Sequence, residues 1–127
     1  MAGCGWLEPR VAKRRVKCRS CGREIRKGER YFVYVYRDGP YRRREVCCVD
    51  CAKNTLEMII SCRVWMDRAA WHNSWGYEAC VRSYGKERCR RYYVVIPQKL
   101  AEIAKLLGVD VEDLVKRIDP HAIPSIR

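Results

Sequence analysis

Two Cys-x-x-Cys pairs decide the fold of this chain: Cys18-Arg19-Ser20-Cys21 and Cys48-Val49-Asp50-Cys51. Two sulfurs from one tight turn can reach the same metal ion, and two such pairs complete a tetrahedron of thiolates. This donor set suits Zn²⁺ and leaves no coordination position open for catalysis. We therefore expect one structural zinc ion, bound by Cys18, Cys21, Cys48 and Cys51.

The segment between the two pairs predicts a β-hairpin. Residues 31–36 read Tyr-Phe-Val-Tyr-Val-Tyr, and aromatic and β-branched residues favour strands. Residues 37–40, Arg-Asp-Gly-Pro, form a turn before the chain returns to the second pair. The face that carries Tyr34 and Tyr36 has two interpretations. It packs against the rest of the protein, or it stacks on bases beside the arginines at 42–44.

A helix is predicted after Cys51, because apolar residues recur at helical spacing until Asn-Ser-Trp-Gly at residues 73–76. We expect Trp65, Trp71 and Trp75 to form its core.

The last third predicts a strand and two short helices. Residues 92–96 read Tyr-Tyr-Val-Val-Ile, and Pro97 then opens a helix that stops at Gly108. Asp110 caps the second helix, Val111 to Ile118.

This order of elements resembles the ribbon-helix-helix repressors, which dimerise through the strand. Residues 103–109 also resemble the first half of a helix-turn-helix. The second helix begins with Asp110, Glu112 and Asp113, which phosphates would repel. We therefore interpret these helices as completing the core or forming a dimerisation element.

Positive charge is concentrated near the cysteine pairs. Residues 1–50 hold 14 Lys and Arg against 6 Asp and Glu, whereas residues 93–127 hold 5 of each. The chain as a whole carries a net charge of +12. Basic clusters on a zinc-organised surface favour nucleic acid as the partner. A basic surface that serves only solubility is the alternative.

Five cysteines lie outside the pairs: Cys4, Cys47, Cys62, Cys80 and Cys89. We interpret them as buried thiols, and leave open one disulfide such as Cys80 with Cys89. A second zinc site that joins His72 to Cys62, Cys80 and Cys89 is disfavoured, because the intervals fit no short chelating turn. We expect His72 to be a partly buried structural residue.

The composition predicts a soluble protein: 33% of residues are charged, and no apolar stretch has the length of a membrane-spanning helix. Residues 1–9 lack the pattern of a secretory signal, so we expect an intracellular location and no membrane partner. Asn and Gln are scarce while Arg is abundant, which is typical of a high-temperature source.

The first cysteine pair and the residues after it resemble the first half of LIM-type fingers and of the DNA-break-sensing fingers of poly(ADP-ribose) polymerases. The matching residues are Cys18 to Gly22, Ile25 and Gly28. The resemblance implies a treble-clef zinc finger, in which Ile25 packs under the metal and Gly28 lets the chain bend into the first strand. Two cysteines close this site, where the polymerase fingers use His and Cys. The composition also resembles small zinc proteins of hyperthermophilic archaeal viruses, such as a Pyrobaculum spherical virus, which implies the host cytoplasm.

We therefore predict an α+β protein with a treble-clef-like zinc module (knuckle, β-hairpin, helix) followed by a mainly helical remainder. The tail is residues 1–12, the module residues 13–65 and the remainder residues 66–127. The remainder contains one strand and packs with the module as one unit.

The function predicted from the sequence is nucleic-acid binding, with DNA favoured over RNA and a homodimer left open. The candidate contacts are Arg14, Arg15, Lys17, Tyr34, Tyr36, Arg42, Arg43 and Arg44. The alternative is a protein-protein interaction adaptor built on the zinc module. We expect no enzyme activity, because the hairpin lacks the His that HNH-type nucleases carry there.

Overall fold

A computed structural model describes residues 3–127 as a mixed α and β protein. The strands are β1 Trp6–Val11, β2 Val16–Lys17, β3 Glu24–Ile25, β4 Arg30–Asp38, β5 Tyr41–Cys47, β6 Tyr92–Ile96 and β7 Ala122–Ile126. The helices are α1 Val49–His72, α2 Trp75–Tyr84, α3 Gln98–Leu106 and α4 Val111–Ile118, with a short 3₁₀ helix at Lys86–Cys89. No helix in this part of the chain is long and apolar enough to cross a membrane.

The central sheet has three antiparallel strands in the order β1-β4-β5. The predicted hairpin is confirmed as β4 and β5, which are joined at Gly39-Pro40. The expectation of a tail over residues 1–12 is wrong for residues 6–11, which form β1 and pair with β4 over their full length. Residues 1 and 2 lie outside the described residues.

Helix α1 covers one face of this sheet and supplies the centre of the core. Its fully buried residues recur at helical spacing: Ala52, Leu56, Ile59, Ile60 and Val64. Phe32 from β4 and Leu7 from β1 belong to the same buried cluster. Since α1 continues to His72, it runs through the expected module boundary at residue 65.

The C-terminal segment adds a second layer to the same core. Strand β6 pairs in parallel with β7, a strand that the sequence did not predict, and α3 and α4 form the crossover between them. The core-completing interpretation of α3 and α4 is confirmed, because Leu100, Ile103 and Leu114 are buried in the same cluster as α1.

Strand β6 does not have the environment that a ribbon-helix-helix dimer requires. One edge bonds to β7 of the same chain. On the other edge, the Val95 backbone N–H donates to Asp67 Oδ2 of α1 at 2.9 Å. That carboxylate occupies the position where a twin strand would bond.

A buried carboxylate joins α1 to the C-terminal segment. Asp119 is 5% exposed; its Oδ2 accepts a hydrogen bond from the Tyr92 hydroxyl at 2.6 Å and lies 3.4 Å from the Arg68 guanidinium. The His121 backbone N–H donates to Oδ1 at 3.0 Å. Burial alone would raise the pKa of Asp119, but these hydrogen bonds and the Arg68 charge lower it below its usual value.

The predicted tryptophan core is wrong in two of three positions. Trp65 is 49% exposed and Trp75 is 90% exposed. Trp71 is half-buried and donates its indole N–H to the Cys89 carbonyl at 2.9 Å. Trp75 is the first residue of helix α2, and none of the residues of this helix, Trp75–Tyr84, is buried.

Candidate metal centre and basic surface

The four paired cysteines come from two short segments that local structure holds in place. Cys18 and Cys21 occupy the turn between β2 and β3, which we call the knuckle. The Gly22 backbone N–H bonds to the Cys18 carbonyl at 3.0 Å, and Gly22 has a φ of 76°, which favours glycine. Cys48 and Cys51 lie at the start of α1, where Cys48 is the N-cap residue.

The four sulfurs form one cluster. They all lie within 4.8 Å of one another, and Cys21 Sγ is 3.8 Å from Cys48 Sγ. Zn–S bonds of about 2.3 Å in a tetrahedron place sulfurs about 3.8 Å apart, so the cluster has the dimensions of a metal site. The prediction that these four cysteines come together is confirmed, and they could hold one metal ion.

The environment of the cluster already favours one thiolate. Burial raises the pKa of Cys18, but backbone hydrogen bonds from Cys48, Cys21 and Ser20 outweigh it and lower the pKa to about 6. Hydrogen bonding to Cys48 and burial raise the pKa of Cys51 well above its ordinary value. The four sulfurs therefore share protons, and a bound cation would favour the loss of all of them.

A small apolar cluster packs around the paired cysteines. Ala12 and Ile25 are buried with Cys18 and Cys48, which matches the position that the finger resemblance implied for Ile25. The Arg19 backbone N–H donates to the Val46 carbonyl at 2.8 Å, so the knuckle is bonded to the outer edge of β5. The cluster is thus attached to both the hairpin and α1.

Among the described residues, the remaining cysteines do not form a second metal site with His72. Two disulfides are present, Cys4–Cys62 and Cys80–Cys89, so the buried-thiol interpretation holds only for Cys47. The alternative of a bridge between Cys80 and Cys89 is confirmed. His72 is exposed, not partly buried, and no second metal-ligating cluster occurs within residues 3–127.

Two basic clefts lie near the knuckle. The first, which we call the knuckle cleft, has a volume of about 740 Å³ and runs along the edge of β5; its cations are Lys17, Arg19, Arg43 and Arg44. Its acidic residues are Asp38, which pairs with Arg43 at 3.5 Å, and Glu45, which accepts the Tyr36 hydroxyl bond at 3.0 Å. Lys17 and Arg19 form no ion pair with any residue of 3–127.

The second basic cleft has a volume of about 570 Å³ and lies where the chain enters β2 and leaves β3, away from the turn that carries Cys18 and Cys21. Its cations are Lys13, Arg14, Arg15, Arg26 and Lys27. Its one acidic residue, Glu24, is paired with Arg15. The structure therefore places the predicted contacts Arg14 and Arg15 in a different cleft from Lys17.

The three consecutive arginines of β5 do not form one row. Cross-strand pairing places Arg43 opposite Tyr36, on the face toward α1, and Arg44 opposite Val35, on the other face. Arg42 lies on the same face as Arg44, because side chains two residues apart share a face.

The two predicted stacking tyrosines lie on the α1 side of the sheet, and Tyr36 also lines the knuckle cleft. Tyr34 packs against the main buried cluster, and its ring stacks on that of Tyr36 at 4.8 Å between centroids.

Two surface residues were absent from the sequence prediction, Arg19 and Trp6. Arg19 could have been found from its place between two ligands, whereas Trp6 carried no signal because β1 was not predicted.

No family model, curated protein or solved structure matches this chain. Function is therefore inferred from the geometry of the cysteine cluster and of the surface around it.

Proposed function

We propose that this chain is a treble-clef zinc protein that binds nucleic acid through the basic surface around its knuckle. The order of elements supports the treble-clef assignment, since the knuckle supplies the first two cysteines, the start of α1 supplies the other two, and a hairpin lies between them. A set of four thiolates favours Zn²⁺, and its closed geometry makes the ion structural.

The knuckle cleft is the observation that carries the proposal. Its four cations face only two carboxylates, and both carboxylates are already engaged within the protein. The positive charges of Lys17 and Arg19 therefore remain available for phosphate oxygens, which bind Lys and Arg by charge-assisted hydrogen bonds. Arg14 and Arg15 add positive charge in the second basic cleft.

The hairpin residues have different roles in this proposal. Arg43 and Arg44 belong to the knuckle cleft and contact phosphates there, whereas Arg42 lies outside it. Tyr36 forms part of the cleft wall, and its hydroxyl bond to Glu45 fixes its ring. Tyr34 is partly buried against the main cluster and has no contact role in the proposal.

One observation favours the second candidate, a protein-interaction adaptor. Trp75 is 90% exposed at the start of α2, and aromatic residues are enriched at protein interfaces. An adaptor that uses Trp75 would leave the knuckle cleft without a ligand.

A polarisation titration of the zinc-loaded protein tests the proposal. Labelled duplex DNA, single-stranded DNA and single-stranded RNA are titrated at about 50 and about 200 mM salt. Nucleic-acid binding predicts measurable affinity that falls steeply between the two salt concentrations, because phosphate contacts release counterions. An adaptor would show no appreciable affinity for any of the three probes, and that result would exclude the proposal.

A further inference from the structure

We propose that the sheet face turned away from α1 is a stacking platform for the bases of single-stranded nucleic acid, with Trp6 as the stacking side chain. This inference rests on the proposed function and names the part of the nucleic acid that this second surface recognises. We call this surface the outer face; it includes Trp6, Glu8, Arg10, Arg37, Arg42 and Arg44, and its end at Tyr31 and Val46 packs against the cysteine cluster.

Cross-strand pairing defines the outer face. Val35 lies opposite Trp6 of β1 and opposite Arg44 of β5, and directly paired residues in an antiparallel sheet share a face. Val35 is fully buried, although it does not belong to the main cluster around α1. Its two cross-strand neighbours on this face, Trp6 and Arg44, have long side chains that can cover it.

The charge of this face is strongly one-sided. Four arginines face a single carboxylate, Glu8, which lies 2.8 Å from Arg10 and 4.0 Å from Arg44. Arg37 and Arg42 have no carboxylate partner among residues 3–127. Such a face complements a polyanion and would repel a cationic partner.

Two contacts orient the exposed ring of Trp6. Its side chain lies on an exposed surface, 41% accessible, and its indole N–H donates to Glu8 Oε2 at 3.3 Å. The Arg42 guanidinium lies 5.1 Å from the ring centroid, where it makes a cation–π contact. An aromatic ring and a planar guanidinium fixed together offer π surfaces on which a base can stack.

The platform adjoins the phosphate-binding surface. Arg44 belongs both to the outer face and to the knuckle cleft, so the two surfaces meet across β5. A strand with a base on Trp6 can therefore place neighbouring phosphates near Lys17 and Arg19. A single strand is required, because the bases of a duplex stack on one another and present only their edges.

The test compares Trp6→Leu with Trp75→Leu in the full-length, zinc-loaded protein. Leucine at position 6 keeps an apolar cover over Val35 but removes the aromatic face. We expect Trp6→Leu to weaken binding of single-stranded DNA by about 5- to 150-fold, the range of one lost base stack. Duplex affinity should change little, and Trp75→Leu should change neither. Trp6→Phe should recover most of the single-strand affinity.

A second readout does not depend on the stability of the leucine variant. A single strand that carries 2-aminopurine loses fluorescence when that base stacks on an aromatic ring, so wild type and Trp6→Phe should quench it. Absence of quenching would overturn the platform, as would equal losses on single strand and duplex in Trp6→Leu. Failure of the wild type to bind either oligonucleotide would instead overturn the proposed function.

Discussion

Removing the two unpaired cations of the knuckle cleft should weaken the salt dependence of binding by a calculable amount. In Lys17→Ala with Arg19→Ala, both exposed side chains are lost. The fold should persist, because the structural contact of Arg19 is its backbone N–H bond to Val46. Each phosphate contact contributes about 0.9 to the slope of log K against log salt on B-DNA and about 0.7 on single strands. The double variant should therefore lower the slope by about 1.8 on duplex and about 1.4 on single strands.

Polarisation titrations at a series of salt concentrations measure these slopes. Between about 50 and 200 mM salt, wild-type affinity for duplex should fall about twelvefold more than that of the variant. The matched control is Lys105→Ala with Lys116→Ala, which removes equal charge from exposed positions in the neutral last third. Equal changes of slope in the two variants would mean diffuse attraction without a dedicated cleft, and would rule out the knuckle cleft as the binding surface.

Three further predictions concern stability. Cys51→Ser should abolish binding of one metal ion per chain and unfold the knuckle, whereas Cys47→Ser should cost only about 1–2 kcal/mol; elemental analysis and thermal melts distinguish them. Asp119→Asn should cost about 1.5–3 kcal/mol at neutral pH. The folded-state pKa of Asp119 is lowered, so its contribution to the free energy of unfolding is present above a pH of about 3.9 and is lost as the pH falls further. The free energies of unfolding of wild type and variant, measured by urea denaturation, should therefore converge at low pH. Cys62→Ala removes a disulfide with a sequence separation of 58 and should cost about 4 kcal/mol of stability, because a long loop is released. Cys80→Ala removes one with a separation of 9 and should cost about 2.7 kcal/mol. Equal melting temperatures of the two variants would contradict this order.

The paired cysteines, the hairpin and the helices α1, α3 and α4 were predictable from the sequence because each depends on neighbouring residues, whereas α2 was not predicted. A Cys-x-x-Cys turn brings its own two sulfurs together, and Gly39-Pro40 specifies the turn between β4 and β5. Asp110 accepts hydrogen bonds from the Glu112 and Asp113 backbone N–H groups, so the start of α4 was predicted correctly. These local features depend little on how the rest of the chain packs.

The tertiary structure alone decided which surfaces are exposed. Alternation along β4 separates Tyr34 from Val35, but only the docking of α1 determines which side becomes the core. The outer face exists because residues 6–11 pair with β4, a contact between segments distant in sequence. The bridge between Cys4 and Cys62 and the parallel pairing of β6 with β7 are equally non-local. Local chemistry thus fixed the four cysteines that could hold a metal ion, whereas long-range packing fixed the two surfaces that we propose bind nucleic acid.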